Sequence, residues 1–487
     1  MLLIGLGVGL VAGVLPGISM INAVILALPF TYSLSPTAAI ILLVAIYCSG
    51  MFSGGVTAIL INIPGSPGNA ATCWDGYPMA QRGQGALAIG TTILCSGIGG
   101  FASALIMTFA TPPLAEFALK FSSVESFAMV FLGLTCIAGI GTKSVARLVT
   151  AVLAGMAVGT IGLAPVYSSF RFTFGTQFFQ GGINFLCALI GLFAIGEMLE
   201  RILARRTDWK DMPAKVDVKM PGWKELRQIR NTILRATGIG TLVGFVPGEG
   251  GVVAAFMAYG VEKQISKNGD KFGTGQIEGV AAPETANNAS TGGAMIPTLA
   301  LGIPGSAAAA VIMGAFMLHG FDPGPLLFMK APDVLYTVFA AMLIVNLLMI
   351  AGGFIITRMF MQFMKIPAPV LNSCIIVLCF LGAFGIRNLM ADVWVTMGFG
   401  VLGFFMRRLG FPIAPFIIGL LLGPMAENYF LTSMLSSDND LTVFFRHPIS
   451  AFFMSIGLLI AFIGPLRRTW RRIGSRRTAT EASLAPK

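Results

Sequence analysis

Charge is scarce in this chain. Of its 487 residues only 11% are Asp, Glu, Lys or Arg, and none of these occurs before Asp75. So long a chain with so few charges cannot cover a water-facing surface, which excludes a soluble globular enzyme. Histidine is nearly absent: His319 and His447 are the only two, and neither stands in an HExxH pattern or beside a cysteine cluster. The seven cysteines (Cys48, Cys73, Cys95, Cys136, Cys187, Cys374, Cys379) form no CxxC and no Cys/His zinc spacing. They read as small apolar packing residues, and no metal site or other cofactor is expected. No GxxxxGK[ST] phosphate cradle occurs, so active transport would draw on an ion gradient or on a partner's ATPase. The opening stretch 1–17 has neither a basic n-region nor a small-residue cleavage site, so it reads as a span and not as a removable signal.

What is abundant is apolar chain. Hydrophobic residues make up 55%, with 60 Gly and 26 Met, and the mean hydropathy is +0.83. Besides residues 1–74, uncharged runs cover 83–115, 148–170, 172–196, 285–321, 334–357, 366–386, 409–426 and 447–466. At about 20 residues per crossing these predict an all-α integral membrane protein with about 10 to 12 transmembrane helices. A barrel would instead show short alternating segments. The net charge of +11 is concentrated: residues 201–235 hold ten cations and residues 467–487 seven more. Basic residues flanking membrane spans stay in the cytoplasm, so a basic cytoplasmic linker (201–235) separates a first membrane domain (1–200) from a second (236–466), and a basic cytoplasmic tail (467–487) follows. These segments lack interleaved aromatics and border apolar spans, which argues against nucleic-acid binding.

The two membrane domains echo each other. Gly13-Val14-Leu15-Pro16-Gly17 returns 231 residues later as Gly244-Phe245-Val246-Pro247-Gly248, and Ile63-Pro64-Gly65-Ser66 returns 240 residues later as Ile303-Pro304-Gly305-Ser306. Ser53-Gly54-Gly55 is matched by Thr291-Gly292-Gly293, and Asp75-Gly76-Tyr77-Pro78 by His319-Gly320-Phe321-Asp322-Pro323. Matches in the same order with similar gaps indicate a duplicated domain. An even number of crossings between linker and tail would make the repeats parallel, whereas inverted repeats are common among secondary transporters; the sequence leaves the hand open.

Proline removes a backbone donor and glycine admits conformations closed to other residues, so Pro-Gly within an apolar run interrupts the helix. Breaks at Pro16-Gly17, Pro64-Gly65, Pro247-Gly248 and Pro304-Gly305 therefore predict broken or re-entrant helices that line a cavity, because bare backbone at membrane depth must be satisfied there. Interhelical turns at the membrane surface are the plainer alternative. Ser66 and Ser306 stand as hydroxyl N-caps, and each creates a helix N-terminus that attracts an anion such as a carboxylate. Asn62, Pro64, Gly65, Ser66, Thr72, Pro304, Gly305 and Ser306 are the candidate solute-binding residues. Other polar residues lie near the breaks: Ser19, Asn22, Ser53, Thr57, Asn69, Asp75, Glu249, Ser290, Thr291 and Thr298. Glu284, Asn287 and Asn288 are the candidate coupling-ion residues, for Na⁺ through amide and hydroxyl oxygens or for H⁺ through the carboxylate. Ser53-Gly54-Gly55 and its match serve equally well as close helix-packing surfaces.

Together Gly-x-Leu-Pro-Gly (13–17), Asn-Ile-Pro-Gly-Ser-Pro (62–67), Ala-Thr-x-x-Asp-Gly-Tyr-Pro-Met-Ala (71–80), Gly-Phe-Val-Pro-Gly (244–248) and Gly-Ile-Pro-Gly-Ser (302–306) resemble the large membrane subunit of the tripartite tricarboxylate transporters. Arg171-Phe172-Thr173-Phe174-Gly175 and Gly423-Pro424-Met425-Ala426-Glu427 look like later signatures of the same family. The resemblance implies a multi-pass permease of the bacterial inner membrane for secondary active uptake of an organic carboxylate of the di- or tricarboxylate class. It further implies a periplasmic solute-binding protein, a small membrane subunit of about four helices and symport driven by Na⁺ or H⁺. A passive anion channel and a membrane-embedded enzyme are the rival functions. The first lacks evident selectivity rings and the second a pair of carboxylates in one buried site.

Overall fold

The computed structural model describes the chain apart from residues 16–18, 140–144, 165, 168, 205–217, 249, 364–367 and 462–487. It is helical almost throughout, the only sheet among the described residues being the two-residue hairpin pairing Gly162–Leu163 with Phe170–Arg171. Two compact units emerge: Met1–Lys120 with Ile183–Ile417, and Phe121–Gly182 with Ile418–Lys487.

In the first unit, α1 (Leu2–Val14), α2 (Met20–Thr31) and α3 (Pro36–Ile61) lead to α4 (Ala70–Met79) and α5 (Gly85–Ala118). The second unit takes up α6 (Ser123–Gly139) and α7 (Val145–Gly159). The first resumes with α8 (Phe185–Leu189), a π-helical stretch Ile190–Ile195 and α9 (Gly196–Ala204). There follow α10 (Trp223–Phe245), α11 (Gly250–Ile265), α12 (Ile277–Leu301), α13 (Ala307–Leu318), the short α14 (Leu327–Lys330), α15 (Pro332–Phe363), α16 (Ala368–Arg387) and α17 (Met390–Leu409), and then α18 (Ile413–Ser436), which belongs to the second unit from Ile418 on. Residues 201–204 and 223–235 of the basic stretch are thus helical.

Among the described residues four helical stretches are long and apolar enough to cross a bilayer: Pro36–Ile61, Pro67–Ala118, Pro332–Gly353 and Ile413–Ser436. Seven further apolar helices are shorter, among them α1, α2 and α13. With 12 or 13 residues these three rise only about 20 Å, about two-thirds of a hydrocarbon core about 30 Å thick, so none makes a full crossing. Among the described residues the helices are cut at Pro64-Gly65, Pro247-Gly248 and Pro304-Gly305. Proline alone does not cut them, since α12 runs unbroken through Pro283 and Pro297.

Packing within the first unit repeats with the offsets seen in the sequence. A methyl group on Gly9 of α1 would fall 2.5 Å from the Ile46 carbonyl of α3, and one on Gly240 of α10 falls 2.4 Å from the Ala286 carbonyl of α12. One turn later Gly13 meets the Gly50 carbonyl at 2.6 Å and Gly244 the Ser290 carbonyl at 2.5 Å. The first helix of each repeat therefore lies backbone to backbone on the third, a closeness only small residues allow. At the far ends, α3 stops at Asn62 with φ 56° and α12 stops at Gly302 with φ 69°, both left-handed. The loops then fold back, with Gly65 against Gly54 and Gly305 against Ala294. The fold class agrees with the sequence.

Candidate functional site

Each break segment is met by the long helix of the other repeat. In the second repeat Ser306 caps α13, its hydroxyl accepting from Ala309 N–H at 3.1 Å. The phenol of Tyr47, buried in α3, lies 3.5 Å from that hydroxyl. Thr298 Oγ1 accepts from Gly305 N–H at 3.2 Å, and Gly305 O accepts from Gly248 N–H at 3.2 Å. Gly248 has φ 144°, open in practice only to glycine, so the Pro247-Gly248 and Pro304-Gly305 breaks are fastened to each other. A methyl on Gly305 would sit 2.6 Å from both Cα and O of Ala294. Pro304 and Gly305 are buried, and Ser306 is half-buried.

The first repeat arranges the same parts differently. Gly65 N–H donates to Gly54 O at 3.2 Å, and a methyl on Gly65 would lie 2.3 Å from Gly13 O. Ser66 does not cap a helix, contrary to the sequence expectation. Its hydroxyl donates to Asn69 Oδ1 at 2.6 Å, because Pro67 and Gly68 turn a short 3₁₀ segment that offers a nearby amide acceptor instead of a free helical turn. Asn62 is exposed at the end of α3, and Pro64 is half-buried. Thr72, expected beside Ser66 in solute binding, is fully buried and donates to Glu284 Oε1 at 2.5 Å. Pro16, Gly17 and Glu249 lie outside the described residues.

The coupling-ion candidates follow one another on a face of α12. Glu284 is 0% exposed and accepts from Asn69 Nδ2 at 3.2 Å, Thr72 Oγ1 at 2.5 Å and Ser96 Oγ at 3.1 Å. Asn287 Nδ2 donates to Met51 O at 3.4 Å, and its Oδ1 faces Gly68, where a methyl group would be only 2.2 Å away. Asn288 donates back to Glu284 O at 3.1 Å. The Oδ1 atoms of Asn287 and Asn288 are buried without a hydrogen-bond partner among the described residues. With the 240-residue offset, Tyr47 and Asn287 are equivalent positions, and each reaches the break segment of the other repeat, Tyr47 at Ser306 and Asn287 at Gly68, two residues beyond the equivalent of Ser306.

Two carboxylates carry structural duties that the sequence did not reveal. Asp75, fully buried, accepts from the backbone N–H groups of Gly273, Gly275 and Gln276 at 2.8 to 3.0 Å and from Tyr259 O–H at 2.8 Å. It thereby ties the Asp-Gly-Tyr-Pro motif of α4 to the start of α12. In the second unit, Glu427 pairs with both terminal nitrogens of Arg171 at 2.5 and 3.0 Å, joining the two late signature motifs. Tyr47 and Ser96 also escaped the sequence reading. Tyr47 had a signal, a lone phenol in an otherwise apolar run; Ser96 had none.

Residues 1–418 match the family model described as the tripartite tricarboxylate transporter TctA family. The chain belongs to that family. Among its curated relatives, the "uncharacterized 52.8 kDa protein in TAR-I ttuC' 3'region" of Agrobacterium vitis is 36% identical over 466 residues, covering 95% of this chain and 92% of that protein. A second protein of Agrobacterium vitis, the "uncharacterized protein in TAR-II ttuC' 3'region", is 38% identical over 227 residues, which is 47% of this chain and 94% of that protein. No solved structure matches. As a TctA-family member the chain is a transporter component of the membrane, and the crossed break segments are where its geometry concentrates polar chemistry.

Proposed function

We propose that this chain is the translocating subunit of a secondary transporter that takes up an organic carboxylate of the di- or tricarboxylate class across the bacterial inner membrane. A Na⁺ or H⁺ gradient supplies the driving force. A periplasmic binding protein delivers the solute, and a small membrane subunit of about four helices completes the complex, in keeping with alternating access around a central site. The observation that carries this reading is the crossed pair of break segments. The helix start at Ser306 faces Tyr47 of the first repeat, while the Ser66 segment faces Asn287 and Glu284 of the second. A helix start offers its first N–H groups and positive dipole end to an anion, and Ser306 is followed by the small Ala307, which puts no long side chain over that helix start.

The test is uptake of radiolabelled succinate and citrate by liposomes holding the complex under imposed pH and Na⁺ gradients. Ser306→Ala and Ser66→Ala should each raise the half-saturating solute concentration about tenfold or more, as expected for loss of a hydrogen bond to a charged group. Current without a gradient would refute active transport. Unchanged affinity in both variants would move the solute site elsewhere.

A further inference from the structure

Six carboxylates are buried among the described residues: Asp75, Glu125, Glu262, Glu278, Glu284 and Asp392. Glu262 and Asp392 face Arg235 at 2.7 Å and Arg387 at 2.5 Å, and Glu125 faces His447 at 2.7 Å. Asp75 receives backbone N–H groups, and Glu278, near the start of α12, receives Ser266 and Asn268. Glu284 differs. It sits inside α12, fully buried, and its partners are two hydroxyls and an amide. An ionised side chain so far from a cation is costly and marks an ion path.

The same heavy atoms serve both charge states of this group. Ionised, it accepts from all three neighbours. Protonated on Oε2, it donates to Ser96 Oγ, whose hydroxyl turns to present a lone pair, while Oε1 keeps Thr72 and Asn69. A sodium ion would need several lone pairs turned towards a common centre. Here Asn69 turns a donor to the carboxylate, and the α3 backbone closes the other side: a methyl on Gly55 would lie 2.6 Å from Oε1. The place suits a proton and not a metal cation.

We propose that Glu284 is where the coupling proton binds, an inference that rests on the reading of the chain as a gradient-driven transporter. One amide links it to the solute. Ser66 donates to Asn69 Oδ1 at 2.6 Å, and Asn69 Nδ2 donates to Glu284 Oε1 at 3.2 Å. Ser66 has a single hydroxyl proton. When a solute carboxylate takes that hydrogen bond, only the long contact of Nδ2 to Met51 O at 3.5 Å still holds the Asn69 amide besides Glu284, the donor that favours the charged form of Glu284 is weakened, and Glu284 takes up a proton from the side open to water. Linkage makes the effect reciprocal: protonated Glu284 keeps Asn69 by a weaker, neutral hydrogen bond, which loosens Asn69 and makes Ser66 easier for the solute to take. Proton and organic anion therefore load together and leave together. The titratable neighbours of Glu284 are the thiols of Cys73 on α4 and Cys95 on α5. The other elements bring Gly55 of α3, Ile233 and Ala236 of α10, and Ala254 and Ala258 of α11 to this part of α12.

Two measurements test this on the full chain. Infrared difference spectra of the protein in lipid, taken across a pH jump, should show a protonated-carboxyl carbonyl band that Glu284→Gln removes and Ser96→Ala shifts in frequency. Persistence of the band in Glu284→Gln, or its absence from the unmodified protein, overturns the proposal; the Ser96→Ala shift keeps the test usable if Glu284→Gln fails to fold. In liposomes holding the complex, Glu284→Gln should lower pH-gradient-driven accumulation of citrate or succinate at least about tenfold, while exchange at equal pH falls less. Undiminished accumulation on a pH gradient, or accumulation on a Na⁺ gradient alone, also overturns it. A complex that accumulates neither acid under any gradient yet shows the Glu284 band refutes the transport reading and leaves the proton site standing.

Discussion

Asp75→Asn tests whether one buried carboxylate sets the start of α12. Asp75 Oδ1 accepts from Gly275 and Gln276 N–H at 2.8 Å, Oδ2 accepts from Tyr259 O–H at 2.8 Å, and both oxygens receive Gly273 N–H at 3.0 Å. Gln276 immediately precedes the first turn of α12, so the negative charge also meets the positive end of that helix. Asparagine retains one acceptor oxygen, replaces the other with a donor and removes the charge. There is no room to reorient, since a methyl on Gly279 would already be 2.1 Å from Oδ2. Hydrogen bonds to a charged group contribute about 1.5–3 kcal/mol each, and weakening two of them while losing the dipole contact should cost about 3–5 kcal/mol. Titration of the purified chain with SDS in mixed micelles would read this as a lower unfolding midpoint. Tyr259→Phe removes a single partner and should cost about 1–2 kcal/mol, with the double variant less than additive because the two share a bond. An Asp75→Asn protein within about 1 kcal/mol of the unmodified chain would show that the loop holds α12 without this carboxylate.

Two further substitutions probe other parts of the first unit. Gly305→Val should leave the chain in the membrane but abolish uptake, because backbone atoms of Ala294 already stand 2.6 Å from the first added carbon and overpacking of this kind costs about 1–3 kcal/mol; normal uptake at normal surface abundance would refute it. Arg387→Leu leaves the fully buried Asp392 without its two-pronged partner and should destabilise the chain by about 3–5 kcal/mol, whereas Arg387→Leu combined with Asp392→Leu should recover most of that loss. The same SDS titration decides, and equal stability of single and double variants would count against the pairing.

The duplication was legible because its punctuation is local: Pro-Gly at matched offsets is visible without any knowledge of tertiary contacts. So was the concentration of polar residues around 62–75 and 284–298. The partners of those residues were not. Thr72 and Glu284 are 212 residues apart and Tyr47 and Ser306 are 259 apart, and no periodicity within either segment specifies such pairings. Ser66 illustrates the limit of local reading. The Ser-Pro dipeptide has the composition of a helix cap, yet the hydroxyl accepts from no helical N–H and instead donates to an amide three residues on. Asp75 illustrates another, since the sequence set it among the polar residues near the breaks, whereas its partners are backbone N–H groups about 200 residues away.

The crossing of each break segment to the other repeat has a consequence for biogenesis. When the ribosome has made the first repeat, Asn69 and Thr72 have been inserted but the carboxylate that satisfies them has not yet been translated, so the early half waits in the bilayer with unmet polar groups. Insertion machinery has to shelter that half until α12 arrives. Two separately expressed halves should accordingly survive degradation only when produced in the same cell.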